Sequence, residues 1–133
     1  MSVDGLSGLL KKGREYLPER ICDVTSSFGL VLADLDQIRQ ARAISAALVG
    51  EGVAGAETFA SVQQITQSSV FVFCEDGVVT GVLGLFMLRQ AGLEAIERGT
   101  FDAVNLDLDL IARPGEVPAA GYGWGFAATT HAG

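Results

Sequence analysis

The chain carries little positive charge. Of its 133 residues, 9 are Lys or Arg and 16 are Asp or Glu, so the formal net charge is −7. Proteins bind nucleic acids largely through Lys and Arg side chains that displace counterions from phosphates, and this chain has only two lysines. The composition therefore excludes nucleic acid as an expected partner.

Long apolar runs are also missing. The longest extends from Val78 to Leu88, well short of the roughly 20 residues that a membrane-spanning helix needs. Near the N-terminus, acidic Asp4 precedes Lys11 and Lys12, which does not fit the basic start and apolar stretch of a secretory signal. We therefore expect no membrane span and a cytoplasmic location.

Residues that bind metals or act as nucleophiles are scarce. Cys22 and Cys74 are far apart and lack CxxC spacing, so they predict neither a zinc site nor a redox pair. The one histidine, His131, lies two residues from the C-terminus, where a catalytic role would need an anchor that the sequence does not supply. The sequence also lacks a Gly-x-Ser-x-Gly motif, so we expect neither a metal site nor a classical hydrolase.

Hydrophobic residues make up 49% of the chain and follow regular periods, which is typical of a single domain over residues 1–133. Apolar side chains recur at the helical period through residues 3–17, until Pro18 interrupts the pattern. This pattern predicts an N-terminal amphipathic helix, within residues 1–18, that packs on the rest of the domain.

The next segment predicts a strand followed by two helices. Residues 28–32 are apolar and favour a short strand. Asp34, with Gln37 three positions later, forms a capping box for a helix that should end at Gly50. A shorter helix should end near residue 66.

A hairpin should follow, because two β-rich segments flank an Asp-Gly dipeptide at 76–77. The strands are predicted over residues 69–75 and 78–88. Glycine gives a strand no packing energy, so glycines in the second strand predict a bulge or a close approach by another backbone or ligand. These glycines are Gly81 and Gly84.

Beyond the hairpin we expect a helix over residues 90–98 and a strand over residues 104–110. The latter segment alternates apolar and polar residues, which predicts one buried and one exposed strand face. The residues expected to be buried are Leu106, Leu108 and Leu110, and those expected to be exposed are Asn105, Asp107 and Asp109. The three polar residues could together hold a cation, the aspartates could act as a base, or the residues could simply keep that face in contact with water.

Aromatic residues separated by glycines form a last predicted strand over residues 121–126. They could line a pocket for an acyl chain or a planar group, or they could be core residues of a terminal strand. The aromatic residues are Tyr122, Trp124 and Phe126.

The order of elements over residues 28–112 resembles the N-terminal half of the GNAT superfamily of acyl-CoA-dependent N-acyltransferases. The resemblance rests on a strand, a capped helix beginning Ala-Asp-Leu-Asp-Gln-Ile-Arg-Gln-Ala-Arg, a second helix and a hairpin with an Asp-Gly turn. It implies an α+β fold with a mainly antiparallel sheet and flanking helices, and an acyl-CoA as substrate.

The resemblance also implies roles for individual residues. Asp107 or Asp109 would deprotonate an attacking amine, and Tyr122 would return a proton to the leaving thiolate. The glycines that would approach the CoA pyrophosphate are Gly121, Gly123 and Gly125. These glycines lack the leading Arg or Gln of the family's pyrophosphate loop. We therefore expect acyl-CoA to bind no more tightly than about millimolar.

The competing interpretation is a noncatalytic α+β module that oligomerises or binds a ligand. In this interpretation, apolar side chains form an interface that completes an unfinished sheet, for example in a homodimer. The residues expected to form it are Phe71, Phe73, Leu85 and the segment 122–126.

Overall fold

A computed structural model describes residues 15–129 of the protein. Most of the predicted N-terminal helix, and His131, lie outside these residues. Within them the chain forms four α-helices and one antiparallel sheet of four strands, which confirms the predicted α+β class with flanking helices. The elements are α1 (Pro18–Ser27), β1 (Val31–Leu32), α2 (Leu35–Val49), α3 (Ala56–Thr66), β2 (Val70–Glu75), β3 (Val78–Leu88), α4 (Gln90–Glu97), a 3₁₀ turn (Leu108–Leu110) and β4 (Ala120–Ala128).

The first described helix, α1, was not predicted from the sequence. Pro18, where the predicted N-terminal helix should end, is the first residue of α1. Proline suits the first helical turn, because its missing N–H would have no partner there and its φ is already helical. The residues just before α1 are non-helical and extended at Leu17.

Helix α2 begins as predicted. The Asp34 carboxylate accepts a hydrogen bond from the Gln37 backbone N–H at 2.8 Å, and the Gln37 side chain accepts one from the Asp34 N–H at 3.0 Å. This reciprocal capping satisfies two backbone donors at the helix start. Gly50, which follows the helix, has a φ of 101° that side-chain-bearing residues rarely adopt.

The four strands are hydrogen-bonded in the order β1-β2-β3-β4, and each neighbouring pair is antiparallel. The predicted hairpin joins β2 to β3 through Asp76 and Gly77, whose φ values are 52° and 79°. Two consecutive positive φ values match the right-handed twist of the flanking strands.

Both glycines in β3 lie where the sequence predicts irregularity or close contact. A Cβ built on Gly81 would lie 3.0 Å from the Phe73 ring, and one on Gly84 would lie 3.2 Å from the Trp124 Cβ. In the β2–β3 pairing, Phe73 pairs with Gly81 and Cys74 with Val79, so Thr80 is the extra residue of a bulge in β3. A Cβ on Gly81 would also lie 3.4 Å from the backbone oxygen of Ala127, so the bulge and the close backbone approach predicted from the glycines are both found at Gly81.

The predicted strand over residues 104–110 is wrong. This segment is a loop that ends in the 3₁₀ turn. The Asp102 carboxylate accepts from the backbone N–H of Val104 and Asn105, and the Asp107 carboxylate accepts from that of Asp109. Such local hydrogen bonds to side chains compete with strand pairing. The three leucines of this segment are half-buried, and its Asn and Asp residues are exposed.

Two apolar clusters form the core on the side of the sheet that α2 and α3 cover. One joins Ile38 and Ala41 of α2 to Val72 and Val82 of the sheet. The other joins Val62 of α3 to Phe86, Leu88 and Ile111. Trp124 packs against both clusters, so β4 contributes to the core despite being an edge strand.

Candidate functional site

A cavity of about 280 Å³ lies between the sheet and the C-terminal part of α2. Its inner wall consists of buried side chains from α3 and the sheet, including Phe59, Val70 and Val82. Its rim includes exposed Val49, at the end of α2, and exposed Val104, in the loop that follows α4. The cavity is therefore open to solvent.

The side chains that line the cavity are mostly apolar. Of the residues around it, only Ser45 has a hydroxyl, and none has a charged side chain. The lining residues are Ser45, Val49, Gly52, Val53, Ala54, Phe59, Val70, Val82, Gly84, Ala103, Val104, Trp124, Gly125, Phe126 and Ala127. Ligand pockets are typically concave and mostly apolar, with few polar groups to fix orientation. This arrangement suits an apolar chain and offers no counter-charge for an ionised group inside.

A β-bulge in β4 determines which aromatic side chains face the cavity. Leu83 pairs with Phe126 and Leu85 pairs with Gly123, so Trp124 and Gly125 together stand opposite Gly84. The extra residue interrupts the alternation of side chains along the strand. Trp124 consequently packs on the helix side of the sheet, whereas Phe126 is 66% exposed.

Trp124 is held by three contacts. Its ring lies 4.7 Å from the Phe59 ring and 5.1 Å from the Phe86 ring, both in edge-to-face geometry. Its Nε1–H donates to the Ala103 carbonyl at 3.0 Å, which satisfies the only polar atom of the side chain. The hydrogen bond also fixes the loop that forms one rim of the cavity.

The segment between α2 and α3 forms another wall and is tied to α2. Arg42 donates from Nε to the Ala54 carbonyl at 3.3 Å and forms an ion pair with Glu51 at 3.0 Å. Ala54 is buried and lines the cavity. Arg42 therefore positions this segment without placing its charge among the lining residues.

The two aspartates proposed as bases are not on a strand. Asp107 and Asp109 are exposed, and the Asp107 carboxylate caps the 3₁₀ turn by accepting from the Asp109 N–H at 3.0 Å. Neither residue lines the cavity. Their loop position follows from local capping, which the alternation in the sequence conceals.

Tyr122, the proposed acid, is half-buried in an aromatic stack. Its ring lies 5.1 Å from Phe86 in parallel geometry and 4.9 Å from Phe101. Tyr122 does not line the cavity. Its described ring contacts are with Phe86 and Phe101, and not with either aspartate. Of the two alternatives that the sequence left open, Tyr122 fits a core residue, whereas Trp124 both packs on the core and lines the cavity.

The glycines proposed to bind CoA lie within β4 and not in a loop. Gly121, Gly123 and Gly125 occur in the segment paired with β3, so their N–H groups do not converge as they would at a helix N-terminus. Gly125 alone lines the cavity. A Cβ at Gly123 or Gly125 would meet no atom within 4 Å.

The interface predicted for the noncatalytic alternative needs correction. Phe71 is completely buried, and Phe73 and Leu85 are half-buried. Among the aromatic residues of segment 122–126, only Phe126 is strongly exposed. The outer face near β4 therefore offers far less aromatic surface than the sequence suggests.

An ion pair outside the cavity, between Arg89 and Glu116, causes a large shift in a side-chain pKa. Arg89 donates from Nε and Nη2 to the two carboxylate oxygens of Glu116, at 3.0 and 2.9 Å. The Arg113 N–H also donates to Glu116 at 2.9 Å. These contacts lower the pKa of Glu116 from its ordinary 4.5 to about 2. The pair fastens the loop before β4 to the start of α4.

Sequence reasoning missed most of the cavity residues, including Ser45, Val49 and Phe59, because each reads as an ordinary helix position. Trp124 and Phe126, which the sequence suggested as possible pocket-lining residues, do line the cavity. Across residues 15–129, no helix is long and apolar enough to cross a membrane. Within that same span, no three His, Cys, Asp or Glu side chains gather where they could hold a metal ion.

Comparison with known proteins adds no relative: no family model, curated protein or solved structure matches this chain.

Proposed function

We propose that this chain is a noncatalytic ligand-binding module whose cavity takes the apolar chain of a small molecule. The observation that carries the proposal is the apolar cavity itself. Its lining combines the Phe59 and Trp124 rings with aliphatic side chains, and Ser45 contributes the one hydroxyl. Burying a ligand chain there removes apolar surface from water, at about 25 cal/mol per Å².

The charges of the protein favour a ligand with an uncharged or exposed head group. No charged side chain lines the cavity, and an ion transferred there without a partner would lose much of its hydration energy. The chain as a whole has a net charge of −7. We therefore expect a medium-length alcohol to bind more tightly than the carboxylate of equal length.

Trp124 provides the test, because it is the only tryptophan and it lines the cavity. The experiment titrates the protein with octanol and with octanoate at pH 7 and follows Trp124 fluorescence. A saturable change, tighter for octanol, is expected. No saturable change with either ligand would refute the proposal.

A pair of glycine substitutions in β4 sharpens the test. Gly125→Leu adds a side chain at a cavity-lining position that has open space, so it should abolish or strongly weaken octanol binding. Gly121→Leu is the control, since Gly121 does not line the cavity and its Cβ would make only ordinary contact with Met87. Equal affinity in both variants would place the bound ligand outside the cavity.

The GNAT-like acyltransferase, or a degenerate relative of one, is the second candidate. The observed order of strand β1, helices α2 and α3, and hairpin β2–β3 favours it, because the resemblance rests on that order. Its base residues receive less support, since Asp107 and Asp109 are exposed loop residues. A CoA-release assay with octanoyl-CoA and a panel of amines distinguishes the candidates. Release that requires Asp107 or Asp109 would favour the enzyme. The cytoplasmic location stays a prediction from the sequence.

A further inference from the structure

Ser45 places a hydroxyl on the face of α2 that packs on the sheet. Ile38, Ala41 and Ser45 follow one another at spacings of three and four residues, so they share one helix face. Ile38 and Ala41 are buried in the core, whereas Ser45 is half-buried and lines the cavity. The apolar stripe of α2 therefore includes a polar group at the cavity.

The Ser45 hydroxyl has no hydrogen-bond partner within residues 15–129. The buried helix threonines differ, because Thr25 and Thr66 each donate to the backbone carbonyl four residues earlier, at 3.1 and 2.8 Å. In the described part of the chain, every completely buried side-chain nitrogen or oxygen has a partner. The Ser45 oxygen must therefore lie on an accessible surface, where it can still donate and accept.

The other polar side chain of the lining is already paired. Trp124 is the one further lining residue whose side chain has a polar atom, and its Nε1–H donates to the Ala103 carbonyl at 3.0 Å. The Ala54 carbonyl, also in the lining, accepts from Arg42 at 3.3 Å. Ser45 thus supplies the one side-chain group in the lining that can bond a ligand without first losing a bond within the protein.

We infer that the Ser45 hydroxyl hydrogen-bonds an uncharged oxygen at the head of the bound chain, so that the ligand is a medium-chain alcohol, aldehyde or ketone. This inference rests on the proposed ligand-binding function and names the group that its ligand carries. The hydrogen bond offsets part of the cost of removing the ligand's oxygen from water. One hydroxyl does too little for a carboxylate, because no charged side chain lines the cavity.

The position of Ser45 also orients the ligand. Ser45 precedes Val49, on the exposed rim, by about one helical turn, or about 6 Å along α2. The buried side chains of the inner wall, including Phe59 and Val82, are apolar. A ligand whose oxygen meets Ser45 therefore packs its hydrocarbon chain against the inner wall.

Ser45→Ala tests the inference, because it removes the hydroxyl and alanine is well suited to a helix. The probes are hexan-1-ol and 1-chlorohexane, which have the same chain and differ in the terminal group, and Trp124 fluorescence follows both titrations. We expect Ser45→Ala to bind hexan-1-ol about fivefold more weakly, which is the loss of one neutral hydrogen bond. Its affinity for 1-chlorohexane should change by less than about twofold.

Ser61→Ala is the matched control. Ser61 is a half-buried serine of α3 that also has no hydrogen-bond partner in the described chain, and it does not line the cavity. This variant should bind both probes as the unsubstituted protein does.

The outcomes separate this inference from the proposed function. If both probes bind the unsubstituted protein but Ser45→Ala weakens both equally, or weakens neither, the inference is overturned and the ligand-binding proposal stands. If neither probe binds saturably, the ligand-binding proposal fails and the inference fails with it. A loss confined to hexan-1-ol and to Ser45→Ala would support the inference.

Discussion

The Gln63 side chain joins helix α3 to the sheet, and its removal should be among the most damaging polar substitutions in the protein. Its Oε1 accepts from the backbone N–H groups of Ser69 and Val70, at 2.9 and 2.8 Å. Its Nε2 donates to the carbonyls of Ala33 and Val70, at 3.0 and 2.9 Å. One amide therefore satisfies backbone groups that precede α2 and that begin β2.

The magnitude follows from these four bonds. A neutral hydrogen bond contributes about 1 kcal/mol net, so Gln63→Leu loses about 4 kcal/mol. Leucine recovers about 1 kcal/mol by burying more apolar surface at this half-buried position. We expect the free energy of unfolding to fall by about 3 kcal/mol, which is a large share of the 5–15 kcal/mol typical of a domain.

Urea denaturation at pH 7 measures this loss, with Trp124 fluorescence and circular dichroism as independent probes. Gln64→Leu is the matched control, because Gln64 is the next residue of α3 and is exposed. It should change the stability by less than about 0.5 kcal/mol. If the two variants were equally stable, the proposed role of the Gln63 amide would be refuted. Hydrogen exchange should also show faster exchange of the Ser69 and Val70 amides in Gln63→Leu alone.

Three further predictions concern the Glu116 ion pair, the backbone conformation at Gly77 and the two aspartates proposed as bases. Because the folded-state pKa of Glu116 is lowered from 4.5 to about 2, its contribution is present above pH 4.5 and is lost as the pH falls toward 2. Glu116→Gln should lower the free energy of unfolding by about 1 kcal/mol at pH 7, because solvent screens this half-exposed pair. The variant's stability should also depend less on pH over that acid range. An unchanged pH dependence would contradict the role given to the Arg89–Glu116 pair. Gly77→Val should destabilise the protein by about 1 kcal/mol or more, because φ at Gly77 is +79°, and a neutral result in urea denaturation would argue against the turn. Asp107→Asn and Asp109→Asn should leave octanol affinity unchanged within about twofold, because neither side chain lines the cavity; a tenfold loss in the fluorescence titration would show that these carboxylates act on the ligand.

Local sequence signals determined several elements of this protein. The start of α2 follows from the reciprocal hydrogen bonds of Asp34 and Gln37, and the hairpin follows from a dipeptide that tolerates two positive φ values. In each case the physical cause lies within a few residues of the element, so no distant contact is needed to predict it.

Other elements were missed or wrongly predicted because the same sequence pattern fits two structures. Proline at position 18 fits both the end of one helix and the first turn of the next, and the helix that it begins was not predicted. The alternating residues 104–110 fit a strand, but a strand needs a partner, and carboxylates at Asp102 and Asp107 satisfy the local backbone N–H groups first. The composition and the hydrophobic period of a segment do not show which of two possible structures will find hydrogen-bonding partners in the folded chain.

The cavity was decided by tertiary structure alone. Its lining comes from α2, the segment between α2 and α3, α3 itself, the β strands and the loop after α4, and these residues share no sequence motif. The direction in which the β4 side chains point depends on a bulge, in which Trp124 and Gly125 together lie opposite Gly84. Without that pairing, strict alternation would place Tyr122, Trp124 and Phe126 on one face. The sequence thus determined that these aromatic residues belong to a strand, whereas the register against β3 decided that Tyr122 and Trp124 pack on the helix side of the sheet and that Phe126 is exposed.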